Sequence, residues 1–155
     1  MIINNYNSVM KKLLLISLVV FTQINLSSAD FVVKMLNQSS TGVMVFEPAV
    51  LEIEVGDTVT FQSTDAAHNS ASIPGMIPAG ASEWNGQLSR DTTVTFDIPG
   101  IYGYQCTPHA MMAMVGVIKV GGDSSNKDSV QAAAKLYKST FVMNQTRLDD
   151  YLSKI

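Results

Sequence analysis

The chain carries one cysteine, two histidines and nine methionines among 155 residues. These are its strong soft-metal ligands, and several of them sit in one stretch. It reads Gly103-Tyr104-Gln105-Cys106-Thr107-Pro108-His109-Ala110-Met111-Met112-Ala113-Met114-Val115-Gly116, with a His three residues after the Cys and a Met five residues after that. Thiolate, imidazole and thioether all bind copper. Two His, one Cys and a weak axial Met make the blue-copper electron-transfer set. Cys106, His109 and Met114 supply three of the four, and His68 is the remaining histidine.

Each of these residues has a plainer role when taken alone. A single Cys packs as a small hydrophobe, a single His belongs on a loop, and Met114 belongs in a core. Their joint occurrence favours copper. An unpaired Cys in an exported chain is open to oxidation or cross-linking, and ligation protects it. Zinc fits less well, because structural zinc takes four Cys or His ligands and only three exist here. The His-x-Glu and Cys-x-x-Cys pattern of zinc deaminases is missing. A nucleophilic Cys–His pair is the enzymatic alternative. It lacks a helix opening at the Cys, since Cys106 ends a β-like run and precedes Thr107-Pro108. One Cys also excludes an internal disulfide framework.

The elements that position these residues read as short strands between turns. Phe31–Met35 and Gly42–Phe46 are two of them. Leu51–Val55, Thr58–Gln62 and Thr93–Asp97 alternate apolar and polar residues with period two, as half-buried strands do. Ile101–Cys106 and Val115–Val120 flank the Cys–His–Met loop. Asn69–Gly86, rich in Gly, Pro, Ala and Ser, reads as an irregular excursion that begins next to His68. Residues 30–120 are thus predicted to form a mainly β sandwich or barrel. After Gly121-Gly122 the period changes. Val130, Ala133, Ala134 and Tyr137 recur at helical spacing, as do Leu148, Tyr151, Leu152 and Ile155. Ser125 and Asp128 resemble a capping box with Asp in place of Glu. The two helices of residues 121–155 are too short to stand alone in water, so packing on the sandwich is favoured over a free partner-binding tail. Trp84 is expected to be packing, and Glu52 and Glu54 the solvent side of a strand.

Residues 1–29 read as a signal peptide, with Lys11-Lys12, an apolar run Leu13–Phe21, and a small-residue cleavage site Ser27-Ser28-Ala29. Met10, directly before the lysines, is an alternative start. The run is short for a membrane span, so export and a periplasmic location are expected without stable membrane association. Cleavage after Ala29 leaves 8 Lys and Arg against 13 Asp and Glu. Residues 30–120 hold Lys34, Arg90 and Lys119 against nine acids, while residues 121–155 hold five bases and four acids. This acidic body argues against nucleic-acid binding.

Further residues carry a family resemblance. Cys106-Thr107-Pro108-His109, then Met112, Met114 and Val115-Gly116, resemble the copper loop of the pseudoazurin family. Plastocyanins share the Cys-x₂-His-x₄-Met spacing. The segments His68-Asn69, Ser72-Ile73-x-Gly75-Met76-Ile77-Pro78-x-Gly80-Ala81 and Met44-Val45-Phe46-Glu47-Pro48 are similar to pseudoazurin, as is the helical tail. The resemblance implies a cupredoxin Greek-key β-sandwich of about eight strands with two C-terminal α-helices. It also implies one type I copper per chain, with His68, Cys106 and His109 equatorial, Met114 axial and Asn69 bracing the region near the Cys sulfur. Met111 and Met112 are then packing or surface residues.

The implied function is monomeric, non-enzymatic electron transfer through His109 to a redox partner such as copper nitrite reductase. Met44, Ala66, Ala67, Ile77, Pro78, Pro108, Ala110 and Met111 are the candidate apolar residues around that exit. Lysines, which often ring the copper face in this family, are missing beside the ligands, and Ala110 stands where a bulkier aromatic is common. The alternatives are an exported copper storage or delivery protein, which the several Met would suit, and a metal-free binding module.

Overall fold

The structure is a computed structural model that describes residues 27–155. The signal-peptide expectation therefore lies almost wholly outside the described residues. Eight strands form two four-stranded sheets. β1 (Asp30–Ser39), β2 (Gly42–Glu47), β4 (Thr58–Gln62) and β6 (Thr92–Thr95) form one, in the order β2-β1-β4-β6. β3 (Val50–Ile53), β5 (Ala71–Ser72), β7 (Gly100–Gln105) and β8 (Val115–Val120) form the other, in the order β3-β8-β7-β5. The pairs β1·β4 and β3·β8 are parallel and the remaining pairs antiparallel. Both sheets are therefore mixed, as the crossovers of a Greek-key sandwich require.

Alternation along the strands builds the space between the sheets. Val33, Met35, Phe46, Phe61, Phe96, Tyr102, Tyr104 and Ile118 all point into it. Tyr104 is fully buried and meets Phe46 and Phe61 with ring centroids 4.8 and 5.0 Å apart. Its hydroxyl donates to the Ala49 carbonyl at 3.1 Å. Trp84 is packing, as expected. It stacks on Phe61 at 6.1 Å, and its indole N–H donates to Ser70 Oγ at 3.0 Å. Gly116 lies against this cluster, and a Cβ there would stand 2.2 Å from the Tyr104 ring and 2.6 Å from the Ala49 carbonyl.

A second core lies on the outer face of β7 and β8. Ile101, Val115 and Val117 point away from the sandwich and are covered by α1 (Lys127–Tyr137) and α2 (Arg147–Leu152). Val130, Ala134, Leu148 and Leu152 are the buried helical residues. The helices thus pack on the sandwich, and β7 and β8 have no solvent face. This is why those strands read as nearly continuous apolar runs rather than alternating ones.

Several boundaries differ from the sequence reading. β1 runs four residues beyond Met35 because it pairs with β2 as far as Ser39–Gly42. The excursion from Asn69 to Gly86 includes the two-residue strand β5 and an isolated Ala71–Asn85 bridge. The capping box does not form. Ser125 bonds Asp123 instead, and the residue before α1, Asn126, is engaged elsewhere. Its side-chain amide accepts from the Ile101 N–H at 2.9 Å and donates to the Ile101 carbonyl at 2.8 Å. That pair of bonds continues the edge of β7, where β5 is too short to reach. Glu52 and Glu54 face solvent, whereas Asp57 is buried and closes its turn by accepting from the Ala29 and Glu54 N–H groups.

Candidate metal centre

One end of the sandwich collects the chemistry. β4 leads through a loop to His68. β7 ends just before Cys106, a tight 3-10 turn (Thr107–Met112) carries His109, and Met114 precedes β8. Pro108 lies in the first positions of that turn, where a fixed φ helps and a missing N–H costs nothing. Ala113 ends it with a left-handed backbone at φ 58°, ψ 39°. The Cys106 N–H then donates to the Met114 carbonyl at 2.9 Å, which closes the loop.

This folding brings three ligand atoms together. His68 Nδ1 and His109 Nδ1 are 3.0 Å apart, and Cys106 Sγ lies 3.5 Å from the first and 3.3 Å from the second. A point equidistant from the corners of that triangle is about 1.9 Å from each, close to the ~2.0–2.3 Å of metal–nitrogen and metal–thiolate bonds. Two imidazole lone pairs and a sulfur this close repel unless a cation or proton stands between them. The donor set therefore fits a small soft metal ion. Among the described residues it is the single cluster of three or more His, Cys, Asp or Glu side chains arranged to hold one.

Burial tunes two of the donors. His68 is fully buried, and burial pushes its imidazole below its ordinary range, as does neighbouring His109. Asp65 pulls the other way. The result favours the neutral, ligating form. Burial also pushes the Cys106 thiol up, while the backbone N–H groups of Asn69 and His109 hold it down in part. Metal uptake must then displace the thiol proton. Met114 is fully buried in the same cluster as Cys106, whereas Met111 is exposed and Met112 only half-buried.

The surrounding hydrogen bonds lock the donors. Asn69 is buried and spans three segments. Its Oδ1 accepts from the Thr107 N–H at 2.8 Å, and its Nδ2 reaches Gly86 O at 3.1 Å and both Asn85 Oδ1 and Thr107 Oγ1 at 3.2 Å. It thus ties the His68 loop to the turn after Cys106. Asn37 is a residue that the sequence did not reveal. Its Oδ1 lies 3.1 Å from His68 Nε2, which leaves Nδ1 to face the other donors. Asp65 in turn accepts from the Asn37 N–H at 2.7 Å. Asn37 sits in the extension of β1, and no spacing rule links it to a His 31 positions later.

One set of expected surface residues is corrected. Ala66, Ala67, Pro108 and Met111 are exposed near His109, and Met44 and Ala110 are half-buried. Pro78, however, is buried where a Cβ on Gly100 would touch it, at the start of β7 and so at the far end from Cys106. Ile77 packs on the inter-sheet core. The excursion turns these two inward, because β5 pairs with the end of β7 and the chain then runs back along that strand.

A buried cysteine and two imidazoles at one end of a Greek-key sandwich define a cupredoxin-type centre, whose metal is copper. Comparison with known proteins agrees. Residues 33–121 match the family described as copper binding proteins, plastocyanin/azurin family. The pseudoazurin of Paracoccus pantotrophus is 36% identical over 128 residues, 83% of this chain and 85% of that protein. The crystal structure of pseudoazurin from Methylobacterium extorquens AM1 aligns with a TM-score of 0.70 at 37% identity, covering 81% of this chain and 98% of the other. That of native pseudoazurin from Hyphomicrobium denitrificans aligns with a TM-score of 0.72 at 33% identity, with the same coverage. The chain belongs to the pseudoazurin family of copper-binding electron-transfer proteins, which are not enzymes.

Proposed function

We propose that His68, Cys106 and His109 are the equatorial ligands and Met114 the axial ligand of one type I copper. We further propose that the chain works in the periplasm once residues 1–29 are removed, with a copper nitrite reductase among its partners. The single observation that carries the assignment of His68, Cys106 and His109 is the convergence of the two Nδ1 atoms and Sγ within 3.5 Å of one another. Met114 joins them on its burial in the same cluster as Cys106 and its place in the loop. Copper supplies the Cu(II)/Cu(I) couple, which moves one electron without making or breaking a substrate bond.

The residues do the rest. The rigid strand ends and the Asn69 and Asn37 bonds hold the donors in one arrangement for both oxidation states. Full burial of His68, Cys106 and Met114 excludes water and supports retained rather than delivered copper. His109 is only half-buried, so its ring edge is the exit for the electron. Around it Met44, Ala66, Ala67, Pro108, Ala110 and Met111 offer an apolar rim. Exposed Val43 and Val142 extend it, the latter through its N–H bond to the Met111 carbonyl at 2.8 Å. Redox encounters use small, weak contacts below about 1,200 Å² in total.

Segments 65–69 and 104–114 carry no lysine or arginine, and the one cation that reaches the rim residues Val43 and Met44, Arg147, spends its guanidinium on backbone carbonyls, so electrostatic steering to an acidic partner is weak. The experiment is stopped-flow reduction of a copper nitrite reductase by the reduced protein across a range of ionic strength. A second-order rate that changes little with salt supports apolar docking. A steep fall with added salt contradicts it, and no reaction at all removes this enzyme as a partner.

A further inference from the structure

The copper loop closes on itself through the Cys106 N–H to Met114 carbonyl bond, but three of its carbonyls are held from outside. Met111, Met112 and Ala113, the three residues before Met114, point their carbonyls at the segment between α1 and α2 and at Arg147, the first residue of α2. The Val142 N–H donates to Met111 O at 2.8 Å, Asn144 Nδ2 to Met112 O at 3.2 Å, and Arg147 Nη1 to Ala113 O at 3.0 Å. Arg147 reaches further, with Nη1 on Met44 O at 2.9 Å and Nη2 on Val43 O at 3.3 Å. Earlier in the tail, the Tyr137 hydroxyl donates to Gln105 Oε1, on the residue preceding Cys106. The left-handed backbone of Ala113 swings its carbonyl out of line with β8, and Ala113 itself is fully buried. A buried carbonyl needs a donor, and the guanidinium is the donor it has.

We propose that Tyr137, Val142, Asn144 and Arg147 act as a clamp on the copper loop, and that Arg147 is a positioning residue which fixes Ala113 and so sets the stance of Met114. One planar guanidinium joins three backbone carbonyls, two on strand β2 and one on the copper loop, a task that a fork of fixed donors performs and a point charge does not. The tail helices, beyond covering the outer face of β7 and β8, thereby regulate the axial bond from outside the ligand set. This rests on the ligand assignment above, in which Met114 is axial.

The test has two readouts. The first is amide hydrogen exchange of residues 109–114 in the metal-free protein, which requires no copper. The second is the visible and electron paramagnetic resonance spectrum of the Cu(II)-loaded protein. Arg147→Leu removes the donors, Arg147→Lys keeps charge without the fork, and Lys138→Ala breaks the tail's own Lys138–Asp149 ion pair without touching the loop. In Arg147→Lys the Ala113 and Met114 amides should exchange about tenfold faster or more, while the β7–β8 ladder amides hold their rates. The Cu(II) signal should change its rhombicity, and Lys138→Ala should alter neither readout. Unchanged exchange at 109–114, or an equal rise over the whole chain, overturns the clamp. Faster exchange with an unaltered Cu(II) signal overturns the positioning of Met114. If Arg147→Leu fails to fold, Arg147→Lys and Asn144→Ala decide. A parent protein without the thiolate band would defeat the ligand assignment and not the clamp, which exchange in the metal-free protein reads by itself.

Discussion

Replacing Asn69 by Ala tests whether the donors are held by the protein or gathered by the metal. The side chain accepts one bond, from the Thr107 N–H. Its amide hydrogens are shared among Gly86 O, Asn85 Oδ1 and Thr107 Oγ1, but an amide has only two, so three bonds are lost in all. At a net of about 1 kcal/mol each, the loss is about 3 kcal/mol. Thr107 and Asn85 are exposed and recover water, which lowers the figure to about 2–3 kcal/mol. For a chain of this size that corresponds to a melting temperature roughly 10 °C lower. The assay is thermal unfolding of the metal-free variant and parent, followed by circular dichroism. Omitting copper matters, because bound metal stabilises by mass action and would mask the difference. A metal-free variant that melts within about 2 °C of the parent refutes the brace, since it would mean a loss under about 1 kcal/mol. In the copper form the thiolate band should persist, and copper should leave the variant faster.

Other outcomes follow from the same contacts. Asn37→Ala frees His68 Nε2, and copper affinity should drop about 10–100-fold, as measured by competition with a chelator. The metal-free protein should lose stability as pH falls below about 6.5. There the unfolded chain protonates His68 while the folded chain, with its value lowered, resists, so the unfolded state binds more protons and stability rises with pH. Denaturant melts between about pH 5 and 7 read that slope, and the opposite sign would contradict the burial of His68. Gly116→Ala should cost about 3 kcal/mol or more by driving a methyl into Tyr104 and the Ala49 carbonyl. A soluble variant with the parent's urea midpoint would refute that packing.

Much of this is legible in the sequence. Thr58–Gln62 and Val115–Val120 have the same bounds in sequence and structure, because alternation or a turn marks both ends. The ligand group was legible through scarcity, since one Cys and two His leave few ways to assemble it. Contacts made through space were not. Asn37 reaches His68 only because β1 lies beside β4 in parallel register. Ser125 and Asp128 have the spacing of a capping box that does not form, and Asn126 between them serves the edge of β7. Pro78 looked like surface near the loops and is buried at the other end. The hold of Arg147 on Val43, Met44 and Ala113 joins segments far apart in sequence, and no periodicity reports it.

The central claim is that one thiolate and two imidazoles bind copper at this end of the sandwich. It is tested most directly by titrating Cu(II) into the purified chain and recording its visible spectrum, with Cys106→Ser alongside. An intense thiolate-to-copper charge-transfer band that saturates at one copper per chain, and is missing in Cys106→Ser, is the predicted result. A band that survives in Cys106→Ser, or a parent protein that binds copper without one, would contradict the account.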